Sequence, residues 1–390
     1  MTDIILKKRK EDRILFGHPW IFQGEVAKVE GNFSDGDSVN VKDSKGNFVG
    51  QGFINGKSQI LVRIISREKE KIDKVFFHKR IKTAIDYRKP FSTDTSAQRI
   101  IFSEADFLPG LIVDLYNSSA VIQTLTLGMD QRKAMIVGIL NELLHPTVIF
   151  ERNDAPVREK EGLPRQKGIL SGSLGEKEIC TVDGIKYYVD IAEGHKTGIY
   201  LDQRENYLKL AKIVSGKTVL DCFSYTGGFS LHSAMYGAKN VLGIDVSGSA
   251  IESAKKNAEL NKVTGQCSWQ AADVFTLLGD KAKQKDLHDI VILDPPSFTR
   301  SKNAIEPALR GYKEINLKAM KIINTGGFLL TFSCSHHINK ELFLDVILSA
   351  ASDAKRTIRL TDYCSQSKDH PIIPAIPETE YLKGFVLQIV

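Results

Sequence analysis

The chain has 390 residues, 42% hydrophobic and 26% charged, with a formal net charge of +6. That length supports two or three domains with cores of their own, and that composition excludes a disordered or fibrous chain. The mild positive charge permits an RNA partner without requiring one.

No apolar run reaches the length of a membrane span, and the start, Met1-Thr-Asp-Ile-Ile-Leu-Lys-Lys-Arg-Lys10, lacks the order of a signal peptide. A cytoplasmic protein with no membrane partner is the expectation. Five cysteines, an odd number without any Cys-x-x-Cys, argue against a disulfide framework. No His/Cys/Asp cluster has ligand spacing, so no metal is expected.

Residues 1–72 read as a small β domain. Lys7, Lys8, Arg9 and Lys10 form a basic run before Gly17-His-Pro-Trp-Ile-Phe22, and taken alone that run is a solvated terminus. Ser38-Val-Asn-Val-Lys42 and Phe48-Val-Gly-Gln-Gly-Phe53 alternate around the turn Asp43-Ser-Lys-Gly46. Residues 73–184 form an α+β connecting segment. It opens with a helix over 74–89 carrying Lys79, Arg80, Lys82 and Arg88. Phe107-Leu-Pro-Gly-Leu-Ile-Val-Asp114 is a turn feeding a buried strand, a helix follows near 130–144, and residues 162–175 read as connection.

Over residues 185–390 strands and helices alternate. Strands are predicted at 218–221, 240–245, 267–271, 290–294 and 328–333, with a late pair at 357–360 and 385–390. Ser249-Ala-Ile-Glu252 has the pattern of a capping box opening one of the helices. Repeated β-α units imply an α/β fold with a doubly wound, mostly parallel sheet. Ligands of such sheets sit outside the carboxyl ends of the strands.

The first strand leads into Val219-Leu-Asp-Cys-Phe-Ser-Tyr-Thr-Gly-Gly-Phe-Ser230, an apolar run ending in an acid, then a loop with paired glycines. A second acid, Asp245, ends the next strand and can take two ribose hydroxyls. A dinucleotide fingerprint would put glycines where this chain has Phe223 and Tyr225, and no Gly-Lys-Ser/Thr follows. A nucleoside cofactor without phosphates, such as S-adenosylmethionine, fits better. Its candidate contacts are Asp221, Phe223, Tyr225, Thr226, Gly227, Asp245 and Val246, with Asp273 and Val274 after the third strand. Asp273 can hold the adenine amine or simply cap a helix. Gly194-His-Lys-Thr-Gly-Ile-Tyr-Leu-Asp-Gln-Arg204 precedes the sheet, and its Gln203 and Arg204 can meet the methionine carboxylate or an RNA phosphate.

Asp294-Pro-Pro-Ser-Phe298 follows the fourth strand. Two prolines fix φ and remove two N–H donors, so the chain leaves the sheet in a stiff turn that holds Asp294 and the Pro295 carbonyl toward a substrate. Pro295, Pro296 and Phe298 can grip a planar base, with Phe298 stacking on it. Ser333-Cys-Ser-His-His337 ends the fifth strand, the neighbour of the fourth at roughly 5 Å. C5 of a pyrimidine becomes nucleophilic when a thiolate adds at C6, so Cys334 and Asp294 together suit methyl transfer to that carbon. His336 and His337 could carry protons or cap the loop. Cys180, Cys222, Cys267 and Cys364 read as structural. A Pro-rich loop containing Asp369-His-Pro371 and Glu378-Thr-Glu-Tyr-Leu-Lys383 lies between the last two strands and can line the substrate side.

In this order, Thr197-Gly-Ile-Tyr-Leu-Asp-Gln-Arg204, Asp221-Cys-Phe-Ser-Tyr-Thr-Gly-Gly228, Asp294-Pro-Pro-Ser-Phe298, Ser333-Cys-Ser-His336 and Tyr381-Leu-Lys-Gly384 resemble the RlmI-type large-subunit (23S) ribosomal RNA cytosine-C5 methyltransferases. The resemblance covers nearly the whole chain. It implies an amino-terminal PUA RNA-binding domain around His18-Pro-Trp20, an α+β connecting domain, and a class I methyltransferase domain using S-adenosyl-L-methionine. It implies Cys334 as the attacking thiolate, Asp294 as the base-gripping acid, and Phe223, Gly227, Asp245 and Asp273 around the cofactor. Ser297 stands where two-cysteine RNA methyltransferases have a second Cys, and the base that removes the C5 proton stays unassigned. Ribosomal RNA is the implied partner, and the chain allows a homodimer. A relative with the same Asp-Pro-Pro motif methylates guanine N7, which is the alternative, as is a non-catalytic RNA-binding protein.

Overall fold

The computed structural model describes residues 1–91, 96–175, 178–194, 197–299 and 304–390. The chain forms two units: Met1–Cys180 with Val189–Ile199 and Lys368–Thr379, and Thr181–Tyr188 with Tyr200–Ser367 and Glu380–Val390.

The first unit begins with β1 (Asp3–Leu6), α1 (Asp12–Leu15), β2 (Trp20–Phe22), β3 (Val26–Glu30), β4 (Ser38–Lys42), β5 (Phe48–Ile54) and β6 (Ile60–Ser66). They make a six-stranded sheet in the order β2-β6-β5-β4-β1-β3. Period-two alternation turns Val39 and Val41 inward onto Ile4, Leu6, Ile21 and Val62. Next come α2 (Lys74–Arg88), β7 (Ala97–Phe102), β8 (Leu111–Tyr116), β9 (Ser119–Thr124), α3 (Leu127–Asp130), α4 (Lys133–Leu144), β10 (Val148–Asn153) and β11 (Gln166–Gly172). The five strands are ordered β11-β10-β9-β8-β7, and Phe76, Phe77, Ile81, Ile136, Ile139 and Leu140 of α2 and α4 share their core.

Buried Glu161 ties these two parts together. It accepts from Ser58 Oγ (2.6 Å) and Asn55 Nδ2 (3.0 Å) and pairs with Arg63 (2.9 Å). Within the same unit, buried Arg88 grips Asp106 and donates to the Asp369 carbonyl (2.8 Å). His18 Nε2 donates to Glu378 Oε2 (2.9 Å). The 368–379 part of the Pro-rich loop is therefore built into this unit. One expectation is corrected here: residues 166–172 are no mere connection but β11, paired with β10. Its side chains alternate between half-buried and exposed, the burial of an edge strand, so apolar periodicity does not announce it.

A two-stranded ribbon, β12 (Glu178–Val182) and β13 (Ile185–Val189), follows in the chain. The second unit then comprises α5 (Arg204–Lys209), β14 (Thr218–Cys222), α6 (Gly228–Met235), β15 (Asn240–Asp245), α7 (Gly248–Leu260), β16 (Cys267–Ala271), α8 (Val274–Gln284), β17 (His288–Leu293), α9 (Ile305–Lys321), β18 (Ile323–Ser333), α10 (Lys340–Ala354), β19 (Ile358–Ser365) and β20 (Lys383–Ile389). The seven strands run β16-β15-β14-β17-β18-β20-β19. The first five are parallel to one another, and β20 is antiparallel to both β18 and β19. The order reverses between β14 and β17, which places the ligand crevice at their carboxyl ends.

Helices cover both faces, so β17 reads as the continuous apolar run Ile290-Val-Ile-Leu293, fully buried. Helix α7 starts two residues before the predicted box: Ser247 Oγ accepts from Ala250 N, and Ser249 lies inside the helix. Asn339 caps α10 through Leu342 N. Among the described residues no helix is long and apolar enough to cross a membrane, all five cysteines are free, and no group of three His, Cys, Asp or Glu could hold a metal.

Candidate active site

The turn after β14 has an unusual backbone. Phe223 (φ 65°), Tyr225 (φ 49°) and Gly227 (φ 94°) are all left-handed. Only Gly227 takes that conformation without cost; a side chain there costs about 1–2 kcal/mol per residue. The turn is held by backbone bonds, with Ser224 N donating to Ile244 O and Gly227 N to Ser224 O, both 2.8 Å. A Cβ on Gly227 would lie 2.6 Å from the Trp269 ring, and one on Gly228 2.5 Å from Tyr207 Oη. Both glycines are therefore required by close approach.

Asp245, ending β15, accepts from Tyr225 N (2.9 Å) through one oxygen and from Ser247 N (2.8 Å) through the other. Two backbone donors fix the carboxylate and leave its remaining lone pairs toward the crevice. Asp221 is buried, 1% exposed. Ser230 Oγ donates to its Oδ2 (2.6 Å), while its Oδ1 is buried without a partner. Burial pushes its carboxyl up to about 7. A buried acid with an orphan oxygen beside a glycine-lined turn is what an ammonium-bearing nucleoside ligand requires, so these residues fit S-adenosylmethionine.

The other expected contacts divide. Tyr225 packs edge-on against Tyr200 at 5.0 Å, and the Thr226 carbonyl accepts from Asn257 Nδ2 (3.0 Å). Val246 is strongly exposed and Val274 buried. Asp273 caps α8, its Oδ1 accepting from Thr276 N and Thr276 Oγ1, both 2.9 Å. Gln203 precedes α5 and Arg204 opens it, and both are engaged: Gln203 Oε1 accepts from Asn206 (2.7 Å), and buried Arg204 pairs with Asp183 (2.8 Å). His195 and Lys196 lie outside the described residues.

Across the reversal point, β17 and β18 pair through Leu293↔Thr331. That register brings the Asp294 turn beside the Cys334 turn, and Cys334 Sγ lies 3.8 Å from the Pro295 carbonyl. Pro295 is buried and Pro296 exposed. Phe298 is half-buried in an aromatic group with Tyr312 (4.5 Å) and Phe275 (5.8 Å). His336 lies 5.9 Å from the Tyr381 ring.

Sequence reasoning missed a hydroxyl network around the sulfur. Ser297 Oγ and Ser335 Oγ are 2.9 Å apart, Tyr312 Oη reaches Ser335 Oγ at 3.0 Å, and Ser333 Oγ donates to Tyr312 Oη at 3.1 Å. The signal in the sequence was the pair of serines flanking Cys334. Cys334 is also chemically set apart from the other cysteines. It is part-exposed, whereas burial pushes Cys180, Cys267 and Cys364 up to about 12 and Cys222 well above its usual value.

Comparison with known proteins bears on this site. The PUA-like domain family matches residues 4–67, and the S-adenosylmethionine-dependent methyltransferase family matches residues 166–376. A Photobacterium profundum protein named ribosomal RNA large subunit methyltransferase I is 40% identical, covering 100% of this chain and 99% of its own. A Vibrio vulnificus protein of the same name is 41% identical, covering 99% of each. A crystal structure of a candidate S-adenosylmethionine-dependent methyltransferase from Streptococcus mutans covers 100% of both chains at 22% identity, with a TM-score of 0.85, and so shares the fold.

Proposed function

The chain belongs to the ribosomal RNA large subunit methyltransferase I family, S-adenosylmethionine-dependent enzymes with a PUA-like domain, and we propose that it methylates C5 of a cytosine in 23S ribosomal RNA through Cys334. The observation that carries this reading is the part-exposed thiol of Cys334 beside the Asp294-Pro295 turn. Transfer to a ring nitrogen would need no thiol there.

S-adenosylmethionine supplies an electrophilic methyl group on a sulfonium. The turn at 223–227 and Asp245 bind its nucleoside end, Asp221 its ammonium, and Asp273 with Val274 its adenine. Asp294 holds the N3–N4 edge of the cytosine, with Pro295, Pro296 and Phe298 bounding the base. The Cys334 thiolate forms a bond to C6, the ring's electron pair moves to C5, and C5 takes the methyl as the methyl–sulfonium bond breaks and a neutral thioether leaves. Loss of the C5 proton and expulsion of the thiolate then restore the ring. The target base must be unstacked, because C5 in a paired helix cannot meet the sulfonium in line. The PUA-like domain and the Lys7–Lys10 run supply phosphate contacts, which makes affinity salt-dependent. We read residues 1–72, 73–184 and 185–390 as RNA-binding, connecting and catalytic domains of a cytoplasmic enzyme. The homodimer allowed by the sequence is tested by its mass in solution.

The test is nucleoside mass spectrometry of 23S RNA, lacking the modification, after incubation with the protein and S-adenosylmethionine. One 5-methylcytidine per RNA is expected. A product of N7-methylguanosine, or none, overturns the proposal.

A further inference from the structure

Lys383 is a buried cation whose hydrogen bonds go to carbonyls. It opens β20, is 5% exposed, and among the described residues forms no ion pair with a carboxylate. Burying an ammonium is costly unless its donors are met and its charge is balanced. The donors are met by the turn that follows Cys334: Nζ donates to the carbonyls of Ser335 and Ile338, both at 2.7 Å. Strand register enforces this, since Lys383 pairs with Ser333 on β18, one residue before the cysteine.

We propose that Lys383 is a positioning residue for the nucleophile: it ties down the 335–338 turn and supplies the positive charge against which the Cys334 thiolate forms. This rests on Cys334 being the nucleophile. In the resting thiol state the ammonium is hydrogen-bonded to carbonyls and feels Glu380 at longer range, and ionisation of the sulfur adds a second, nearby anion. Burial pulls Lys383 down to about 8, with Cys334 and Glu380 acting in the opposite sense. At neutral pH the ammonium is therefore mostly charged. Other ionisable groups lie around the sulfur among the described residues. Asp294 opposes the thiolate, Tyr200 and Tyr312 are both raised by burial and stay neutral, and His336 and His337 follow it in the turn.

The test is the pH dependence of iodoacetamide alkylation at Cys334 in the full-length protein, read by mass spectrometry of the peptide that carries it. Reading that peptide alone excludes the four buried cysteines. In the unmodified protein the alkylation midpoint is expected below the ordinary thiol value of ~8.5. In Lys383→Met it is expected to rise by about one unit or more, and in Lys383→Arg to stay near the original. Thermal unfolding shows which variants fold. If Lys383→Met does not fold, Lys383→Gln, which still donates to one carbonyl, replaces it with the same expected rise. Methyl transfer by the neutral variant should fall about tenfold or more at pH 7 and be largely recovered near pH 9, with the KM for S-adenosylmethionine unchanged. A midpoint at or above ~8.5 in the unmodified protein, or one unmoved in the neutral variant, overturns the proposal. Failure of the Cys334 reading itself appears differently, as a Cys334→Ala variant that still methylates RNA.

Discussion

The two turns that meet at the crevice are built on opposite lines. The one after β14 carries backbone strain at Phe223 and Tyr225 and leaves a buried oxygen of Asp221 unmet. The one after β18 is tied from several sides, by Ser297, Tyr312 and Ser333 hydroxyls and by Lys383. A turn that binds a ligand through its own backbone can hold strain and an open polar atom, because the ligand relieves both. A turn that presents a nucleophile must not move, since small misplacements of a reacting atom cost rate steeply.

The largest expected effect separates the two most sharply. Cys334→Ala should lower methyl transfer by on the order of a thousandfold or more while S-adenosylmethionine affinity, measured by titration calorimetry, stays within about twofold. A parallel loss of cofactor binding would mean the turns are not independent. Gly227→Ala should do the reverse. Strain of about 1–2 kcal/mol at φ 94°, and a Cβ 2.6 Å from Trp269, should weaken cofactor binding about tenfold or more.

Smaller effects test how firmly the second turn is tied. Tyr312→Phe removes one hydrogen-bond partner from each of the Ser333 and Ser335 hydroxyls and should cost about 1 kcal/mol of stability in denaturant unfolding. It should lower kcat several-fold and leave the KM for S-adenosylmethionine alone. A rise in that KM instead would show that the network supports the cofactor turn.

The smallest effect is one of pH. The Asp221 carboxyl is raised from 3.8 to about 7, so the folded state retains a proton that the unfolded chain releases. Its contribution to stability is complete below about pH 4 and declines as pH rises to about 7. Unfolding midpoints of the ligand-free protein should therefore fall over that window relative to Asp221→Asn. Cofactor affinity should rise over the same window in the unmodified protein more than in Asp221→Asn, which also cancels the ligand's own titration.

Most of the second unit was legible because its central parallel strands, β14, β17 and the end of β18, are buried and read as apolar runs, whereas the edge strand β16 is largely exposed. Asp221, Asp245, Asp273, Asp294 and Cys334 fall at or just past the carboxyl ends of the five parallel strands β14 to β18. Local chemistry was less legible. Nothing in Phe223 or Tyr225 announces a left-handed backbone, since aromatic residues rarely adopt one; tertiary bonds from Ile244 and Asp245 impose it. Lys383 lay within a recognised motif, but its role depends on antiparallel register with Ser333, a contact fifty residues away in sequence. Arg204, expected to meet the methionine carboxylate or an RNA phosphate, is paired with Asp183, a partner that only the folded chain brings near.

One measurement tests the Cys334 mechanism most directly. An RNA substrate carrying 5-fluorocytidine at the target position accepts the thiolate at C6 and the methyl at C5, but fluorine cannot leave as the proton does. A covalent protein–RNA complex is expected that forms only with S-adenosylmethionine present, with the nucleotide mass on the peptide containing Cys334. Turnover with no trapped complex, or a complex on any other residue, contradicts it.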